Sequence, residues 1–401
     1  MAVATGELTT KTMLLNMGPQ HPATHGTLHL RMELDGERIV NCIPEMGYLH
    51  TGFEKLGEYR SYNQFVVVTD RMNYISPLSN NIGYSIAVEE MMGVEIPPRA
   101  KVLRVILAEL SRVADHVLCA GLQGMDLGAF SVMLWAFVER ERLYDIFEWV
   151  TGARLTTSYT RVGGLARDVP PGFVERVRAV SKKVGDVADE IQRMLADNPI
   201  FCERTKDVGT FTPEQCIAWG LTGPLARSAG VKNDVRRDRP YSGYETYEFD
   251  VVTRTEGDCW ARFMVRLEEM RQSLRIIRQA LDRGIPEGPV MALTKKVSLP
   301  PKDAVYRSIE GLIHHFKQIM PGKGHGVHPA AGEYYSSTEA PNGELGFFLV
   351  SDGSANPYRL RIRPPSFYAY QALPEMLRGR MLSDVVAILS SLNVIAGELD
   401  R

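Results

Sequence analysis

The sequence predicts an α+β protein, mainly helical, with a small N-terminal antiparallel sheet, a central helical bundle and a mixed C-terminal region. Three observations predict it. Near the N-terminus apolar residues alternate, at Leu28, Leu30, Met32 and Leu34, which is the period of a half-buried strand. From Pro77 to Gly284 they recur every three or four residues in several long segments, the stripe of helices packed on one another. Beyond Pro300 both periods occur. The expected division is 1–60 for the sheet, 61–300 for the bundle and 301–401 for an α+β region packed on the bundle.

The first element is a loop. Residues 18 to 26 read Gly-Pro-Gln-His-Pro-Ala-Thr-His-Gly, so His21 and His25 sit on a stretch stiffened by Pro19 and Pro22. Proline fixes φ and pushes the preceding residue to extended geometry. The loop enters a hairpin in which Asp35-Gly36 supplies a two-residue turn and Glu37 to Ile43 returns. That register sets Glu33 opposite Arg38 and Met32 opposite Ile39. Arg99 to Ala120 is apolar at Val102, Ile106, Leu110, Val113 and Val117 and on neighbouring positions, so it predicts a mostly buried helix. Leu127 to Val150 predicts a second. Pro170-Pro171 opens a third, with Val174, Val177, Val180, Val184, Val187, Ile191 and Met194 on one stripe, closed by Asn198-Pro199. A fourth starts at Asp258, keeps Trp260, Phe263, Leu267, Met270, Leu274, Ile277 and Leu281 in register, and stops at Gly284 and Pro286. Lys302 to Met320 reads as helical. Leu345, Phe347 and Leu349 with Tyr358, Leu360 and Ile362 read as a hairpin around Ser351-Asp352-Gly353, and Ser383 to Ile395 is a last apolar segment. Repeats, low-complexity runs and long linkers are not seen.

Bulk properties bound the function. A chain of 401 residues can bury a large core. Hydrophobic content of 44% and charge of 23% are ordinary for a globular protein. A net charge of −2 implies no nucleic-acid partner and no attraction to anionic lipid. The longest apolar stretch, Leu127 to Val138, falls short of the roughly 20 residues a bilayer span needs. Met1 to Thr12 has no apolar core, so no secretory signal is read there. Absence of a transit-type segment points to a prokaryotic or organelle-encoded protein facing the cytosol. Cys42, Cys119, Cys202, Cys216 and Cys259 are odd in number and form no Cys-x-x-Cys pair. That argues for a reducing compartment and against a metal or iron–sulfur site held by this chain alone.

Candidate chemistry is sparse. On a rigid loop His21 and His25 present groups that titrate near neutral pH; the bland alternative is a turn whose histidines bond local backbone. Asp126, within Gly124-Met125-Asp126-Leu127-Gly128 between two predicted helices, is either a helix cap or a buried partner for a cation. Tyr74 follows Asp70-Arg71-Met72-Asn73 and alone would read as a core aromatic. His25, Tyr74 and Asp126 could form a hydrogen-bonded relay if the fold brings them together. No Gly-x-Gly-x-x-Gly follows a strand. The nearest phosphate-loop candidate, Gly322-Lys323-Gly324-His325-Gly326-Val327-His328, lacks the flanking strand and helix and reads as a flexible loop. Nicotinamide binding by this chain is therefore not supported. His314-His315 reads as a packed or surface pair, not a metal site.

The His loop resembles that of the D subunit of respiratory complex I, the proton-pumping NADH:quinone oxidoreductase. Leu49-His50-Thr51-Gly52-Phe53-Glu54-Lys55 resembles a second signature of that family. Further matches are Asp70-Arg71-Met72-Asn73-Tyr74, Phe147-Glu148-Trp149-Val150-Thr151-Gly152, Ser242-Gly243-Tyr244-Glu245-Thr246-Tyr247, Gly343-Glu344-Leu345-Gly346, Leu349-Val350-Ser351-Asp352-Gly353, Pro365-Ser366-Phe367 and the closing Gly397-Glu398-Leu399-Asp400-Arg401. They span nearly the whole chain in order. The family in turn resembles the large subunit of nickel–iron hydrogenases, whose metal is held by two Cys-x-x-Cys pairs. This chain has neither, so the resemblance implies the hydrogenase-like fold without the metal, its vacated cavity receiving a quinone headgroup.

By position, the resemblance implies that His25 and Tyr74 hydrogen-bond the quinone carbonyls and that Asp126 pairs with the histidine. It puts Arg71 beside the terminal iron–sulfur cluster, whose cysteines belong to a neighbouring B subunit. No cofactor is then bound by this chain. The quinone, ubiquinone or menaquinone, is substrate, and iron–sulfur clusters and FMN belong to other members of the complex. The implied partners are the B, C and I subunits and the membrane-embedded H and A subunits, with the chain peripheral on the cytoplasmic side of a prokaryotic cell membrane. Three departures stand out. Relatives commonly have histidine at Thr156, often have aspartate at Asn393, and read Arg-Ala-Ser-Gly where this chain has Arg227-Ser228-Ala229-Gly230. Threonine does not titrate near neutral pH, so a cluster potential that falls with pH through a histidine at 156 is expected to be absent or weak. Two other readings are a D-type member of a related complex fed by ferredoxin or another donor, and a structural assembly protein with a vestigial pocket.

Overall fold

A computed structural model describes residues 11–320 and 324–401. Most of the N-terminal segment read for a signal, and Gly322 and Lys323 of the glycine-rich loop, lie outside the described residues. About half of the chain is helical, with small antiparallel sheets.

The first sheet has strands β1 (Met13–Met17), β2 (His29–Asp35) and β3 (Arg38–Glu45) in that spatial order. Leu28, Leu30, Met32 and Leu34 are all buried, as their alternation requires. The hairpin register differs from the sequence expectation. Asp35 pairs with Arg38, Leu34 with Ile39 and Met32 with Cys42, with an irregularity between Glu33 and Leu34. The turn is Gly36-Glu37, because Gly36 takes the left-handed φ of +61° that the tight reversal needs. Two short helices follow: α1 (Phe53–Tyr59), in the stretch read as sheet, and α2 (Tyr62–Thr69), at the start of the stretch assigned to the bundle. The second starts on a capping box in which Ser61 and Gln64 exchange side-chain to backbone bonds.

The bundle comprises α3 (Pro77–Met92), α4 (Pro98–Asp126), α5 (Phe130–Thr151) and, after the minimal hairpin β4 (Thr160–Arg161) and β5 (Gly164–Leu165), α6 (Phe173–Leu195). Short helices α7 (Pro199–Thr205), α8 (Pro213–Ala218), α9 (Gly223–Ser228) and α10 (Val235–Asp238) lead to α11 (Cys259–Arg283). Asp258 caps α11 by accepting from Ala261 N at 2.7 Å. Most of the expected stripes are buried: Val177, Val180, Val184, Val187 and Ile191 on α6 face Phe263, Leu267, Met270, Leu274 and Ile277 on α11 in one core, whereas Met194 is exposed and Leu195 is the buried residue at the end of α6. α4 is buried on all sides and packs against α3, α5, α11 and, further on, a C-terminal helix.

The C-terminal region begins with α12 (Lys302–Arg307) and α13 (Ile309–Ile319). One helix was expected here. Ser308 breaks it by going extended, and its side chain caps the second piece at Gly311 N. β6 (Gly332–Ala340), β7 (Gly343–Ser351) and β8 (Arg359–Arg363) form the second three-stranded sheet. The β7–β8 pairing, with Leu349 opposite Leu360, is the expected hairpin, and β6 adds a strand. Helices α14 (Pro365–Leu377), α15 (Asp384–Leu392) and α16 (Ala396–Asp400) close the chain. They pack on the inner face of the first sheet, where Leu30, Met32 and Leu34 meet Tyr370, Leu373 and Leu389. His314 is tied to the Ser298 carbonyl at 3.0 Å.

A buried ionic network ties α4, α9, α10, α11 and β6 together. Arg227 donates to Glu269 at 2.6 Å and Glu339 at 2.7 Å. Arg236 spans Asp234 at 2.7 Å and Glu109 at 3.1 Å, and Glu109 also accepts from Arg112 and Tyr244. Burial alone would raise the Glu109 carboxyl, but Arg112 and Arg236 hold it down at about 2.

Candidate functional site

Chain ends and middle meet at one place. In the His loop, Pro22–Thr24 make a single tight turn. His21 caps it, its Nδ1 accepting from Ala23 N at 3.2 Å, so this histidine does satisfy local backbone. Thr24 is buried and donates to the His21 carbonyl at 2.9 Å, which fixes the turn. His25 follows with a left-handed backbone, φ +54°. It stays open to solvent on one side. Crowding on the other side lowers its pKa by desolvation, against a hydrogen bond to the backbone of Val394 that raises it.

Tyr74 stands on the turn that follows α2. Asn80 donates to the carbonyls of Thr69 at 3.1 Å and Asn73 at 2.9 Å, and Asn81 donates to Thr69 Oγ1 at 2.9 Å. Asp70, buried, accepts from the Ser158 amide at 3.1 Å. The turn is thus held from below by α3 and from the side by the 158 loop. Tyr74 is half-buried. Desolvation raises its pKa, and the nearby Glu398 charge raises it further. Arg71 is exposed, its guanidinium resting on the Val67 carbonyl at 3.3 Å.

The wall facing both residues is the segment from Asn393 to Asp400. Gly397 lies so close to the Tyr74 turn that a Cβ there would be 2.4 Å from the Arg71 carbonyl oxygen and 2.5 Å from that of Met72. Glu398 is fully buried and bonded to Ser366. Desolvation pushes its carboxyl up to about 7, with Ser366 acting the other way. Asp400 accepts from the amides of Gly47 at 3.0 Å and Leu49 at 2.6 Å, while its carbonyl accepts from His50 at 2.7 Å. Arg401 reaches Glu54 at 3.2 Å. The second and the closing signatures therefore hold each other. Beside them opens a cavity of about 470 Å³ whose lining includes His50, Glu54, Phe367, Asp400 and Arg401.

Of the sequence candidates, His25 and Tyr74 both abut this segment. Asp126 is the final residue of α4 and not a linker residue. It is half-buried, desolvation lifts its carboxyl to about 6, and no direct hydrogen bond to His25 is formed. Sequence reasoning missed Asn393, Gly397 and Glu398 as residues of this wall. The available signals were Asn393 as a departure from the family pattern and Gly397-Glu398 within the closing signature. Among the described residues no group of three or more His, Cys, Asp or Glu side chains is placed to hold a metal. Cys42, Cys119, Cys216 and Cys259 are buried, and desolvation raises each thiol. These residues do not fit a metal or cluster held by this chain alone.

Comparison with known proteins gives the class first. Residues 126–401 match the family described as respiratory-chain NADH dehydrogenase, 49 Kd subunit. The chain is 50% identical over 392 residues to the D subunit of the NADH-quinone oxidoreductase of Geotalea uraniireducens, covering 98% of this chain and 99% of that one. It is 51% identical over 388 residues to the D subunit from Leptospira biflexa, covering 97% and 94%. It is 50% identical over 394 residues to the C/D subunit from Bdellovibrio bacteriovorus, covering 98% and 70%. The chain belongs to the 49 Kd, or D, subunit family of the respiratory-chain NADH-quinone oxidoreductases.

Proposed function

We propose that this chain is the quinone-binding subunit of a multisubunit, proton-translocating NADH:quinone oxidoreductase, with the hydrogenase-like fold and no metal of its own. One observation carries the reading. His25 and Tyr74, 49 residues apart in sequence (74 minus 25), face the same C-terminal segment. Both are hydrogen-bond donors. Reducing a quinone consumes two electrons and two protons and yields the quinol. The electrons come from the iron–sulfur cluster of a B-type partner, near which Arg71 is placed by analogy. His25 and Tyr74 bind the two carbonyls and supply the protons, with Asp126 as the carboxylate that favours the charged imidazole. Solvent reaches the open side of His25, which allows its reprotonation. C, I, H and A subunits complete the partner set, and the relative whose name joins C and D supports the first of these. Among the described residues no helix is long and apolar enough to cross a membrane, which fits a peripheral place on the cytoplasmic side.

Tyr74→Phe tests the reading, because it keeps the ring and removes one donor. Quinone reduction by membranes carrying this variant should fall about tenfold, the worth of one such hydrogen bond, while NADH oxidation by ferricyanide persists. Unchanged quinone kinetics would end the proposal.

Glu398 supplies a second test. Its carboxyl is neutral below about pH 7 and ionised above. Ionised, it strengthens the hold of Tyr74 on its proton, so quinone reduction should decline as pH rises through that value. Linkage has the same sign: a raised folded pKa contributes stability below the unfolded value, and that stability is lost as pH rises towards about 7. Glu398→Gln should flatten the profile; an identical decline in the variant would exclude Glu398 as its source.

A further inference from the structure

Asp115 lies at the middle of α4 and is fully buried. Its two oxygens go in different directions. Oδ2 accepts from Asn73 Nδ2 at 3.3 Å, and Oδ1 accepts from Asn393 Nδ2 at 2.7 Å. Asn73 precedes Tyr74, and Asn393 precedes Val394, beside whose backbone the His25 ring stands. Both asparagines are buried and otherwise committed. Asn73 Oδ1 accepts from the amides of Ile75 at 3.1 Å and Ser76 at 3.2 Å, which shapes the tyrosine turn. Asn393 ends α15 with a left-handed φ of +53°, and it exchanges bonds with Asn342 at 2.7 and 3.1 Å. A carboxylate is an acceptor only, so two amide donors from two separate segments match it.

No ion pair of Asp115 occurs among the described residues. The charged and titratable groups that feel it are His116 and Cys119 on its own helix, Arg140 and Tyr144 on α5, and Glu398. Burying a carboxylate on amides alone is costly. A core that needed only apolar packing here would be served better by leucine. What the carboxylate provides is a fixed point in the buried middle of α4, from which both walls of the site hang.

We propose that Asp115 is a positioning residue of the quinone site, setting the spacing between the Tyr74 turn and the segment that holds His25. This rests on the quinone reading above. It also gives a physical account of Asn393, where the chain departs from the family it resembles. An aspartate at 393 would face Asp115 across a 2.7 Å contact, where two carboxylates cannot both be ionised. With the carboxylate on α4, the amide must be at 393.

A charge swap tests this in the assembled complex, with short-chain quinone as the probe and rates normalised to NADH–ferricyanide activity. Asp115→Asn and Asn393→Asp should each raise the KM for quinone about tenfold, as a lost or repulsive buried contact does. The double variant again pairs one amide with one carboxylate in the same volume. Its KM should return to within about twofold of the parent, a coupling far from additive. A role confined to folding would lower the amount of complex and leave KM untouched. Parental KM in both single variants would overturn the proposal. So would a double variant no better than the worse single one, or one that fails to assemble. If Asp115→Asn alone does not accumulate, Asn393→Asp and the swap still decide. Tyr74→Phe run alongside separates the two readings: parental KM there removes the quinone reading itself, whereas a raised KM there with unaffected swap variants removes only the role of Asp115.

Discussion

Arg227→Met should cost roughly 3–5 kcal/mol of stability, the penalty for removing one partner of a buried ion pair, and should sharply reduce the amount of assembled complex. Arg227 is fully buried, and it is the cation shared by Glu269 and Glu339. Without it Glu339 faces Asp234 with only Arg236 and Arg112 to balance the pair, and Glu269 keeps only His116, at 3.0 Å. Methionine fills much of the volume, so the loss reads charge and not a cavity. Arg154 is the control. It contacts three carboxylates, Glu141, Asp145 and Glu148, but it is partly exposed and they are more so. Arg154→Met should leave thermal stability close to that of the parent, because solvated pairs are screened and contribute little. Thermal inactivation of the quinone reductase would compare the two, and equal losses would show that burial of the network does not set its importance.

Gly397→Ala should lower quinone reduction by about a hundredfold or more, as misplacement of groups by about 1 Å does. The added methyl would meet two backbone carbonyls, those of Arg71 and Met72, at 2.4 and 2.5 Å. Backbone atoms cannot rotate away as a side chain does, so the Tyr74 turn or the C-terminal segment must move. Gly185→Ala on α6 is the matched control. There the methyl would find Leu274 Cδ1 at 3.5 Å, an ordinary contact, and alanine favours a helix interior by about 0.5–1 kcal/mol. Parental quinone kinetics in Gly397→Ala would mean that the site tolerates displacement of its wall.

The bundle was legible because its information is local. Val177 to Ile191 and Phe263 to Leu281 announce their buried faces by spacing alone. Asp258 and the Pro170-Pro171 pair mark starts by chemistry that acts within one turn. The hairpin register was not legible, because a single irregularity at Glu33–Leu34 shifts every partner beyond it. β6 escaped for a related reason: Tyr334-Tyr335-Ser336-Ser337 carries no clean alternation, and its burial comes from α3 and β7. His25 stood out through its motif, while Tyr74 alone reads as a core aromatic and became a candidate only through the family resemblance. Their common wall was invisible, since residues 393–400 touch them from more than 300 positions away. Asp115 was hidden by its setting. In a helix that also carries Arg104, Glu109 and Arg112, one more charged residue is not singled out by the sequence, and only the two asparagines that reach it reveal its place.

The wall from Asn393 to Asp400 is also the last part of the described chain to leave the ribosome. At roughly 5–20 residues per second, synthesis leaves the His25 loop and the Tyr74 turn without it for tens of seconds. Helices α4, α5 and α6 can collapse in that interval, burying Asp115 with Asn73 already made but before Asn393 exists to complete its second contact. A partner that docks on the finished pocket must therefore wait for residues 393–400, and nascent chains lacking them offer it only half a binding surface. Synthesis thus orders assembly in time: emergence of residues 393–400, closure of the wall over the tyrosine turn, and only then recruitment of a neighbour that needs both.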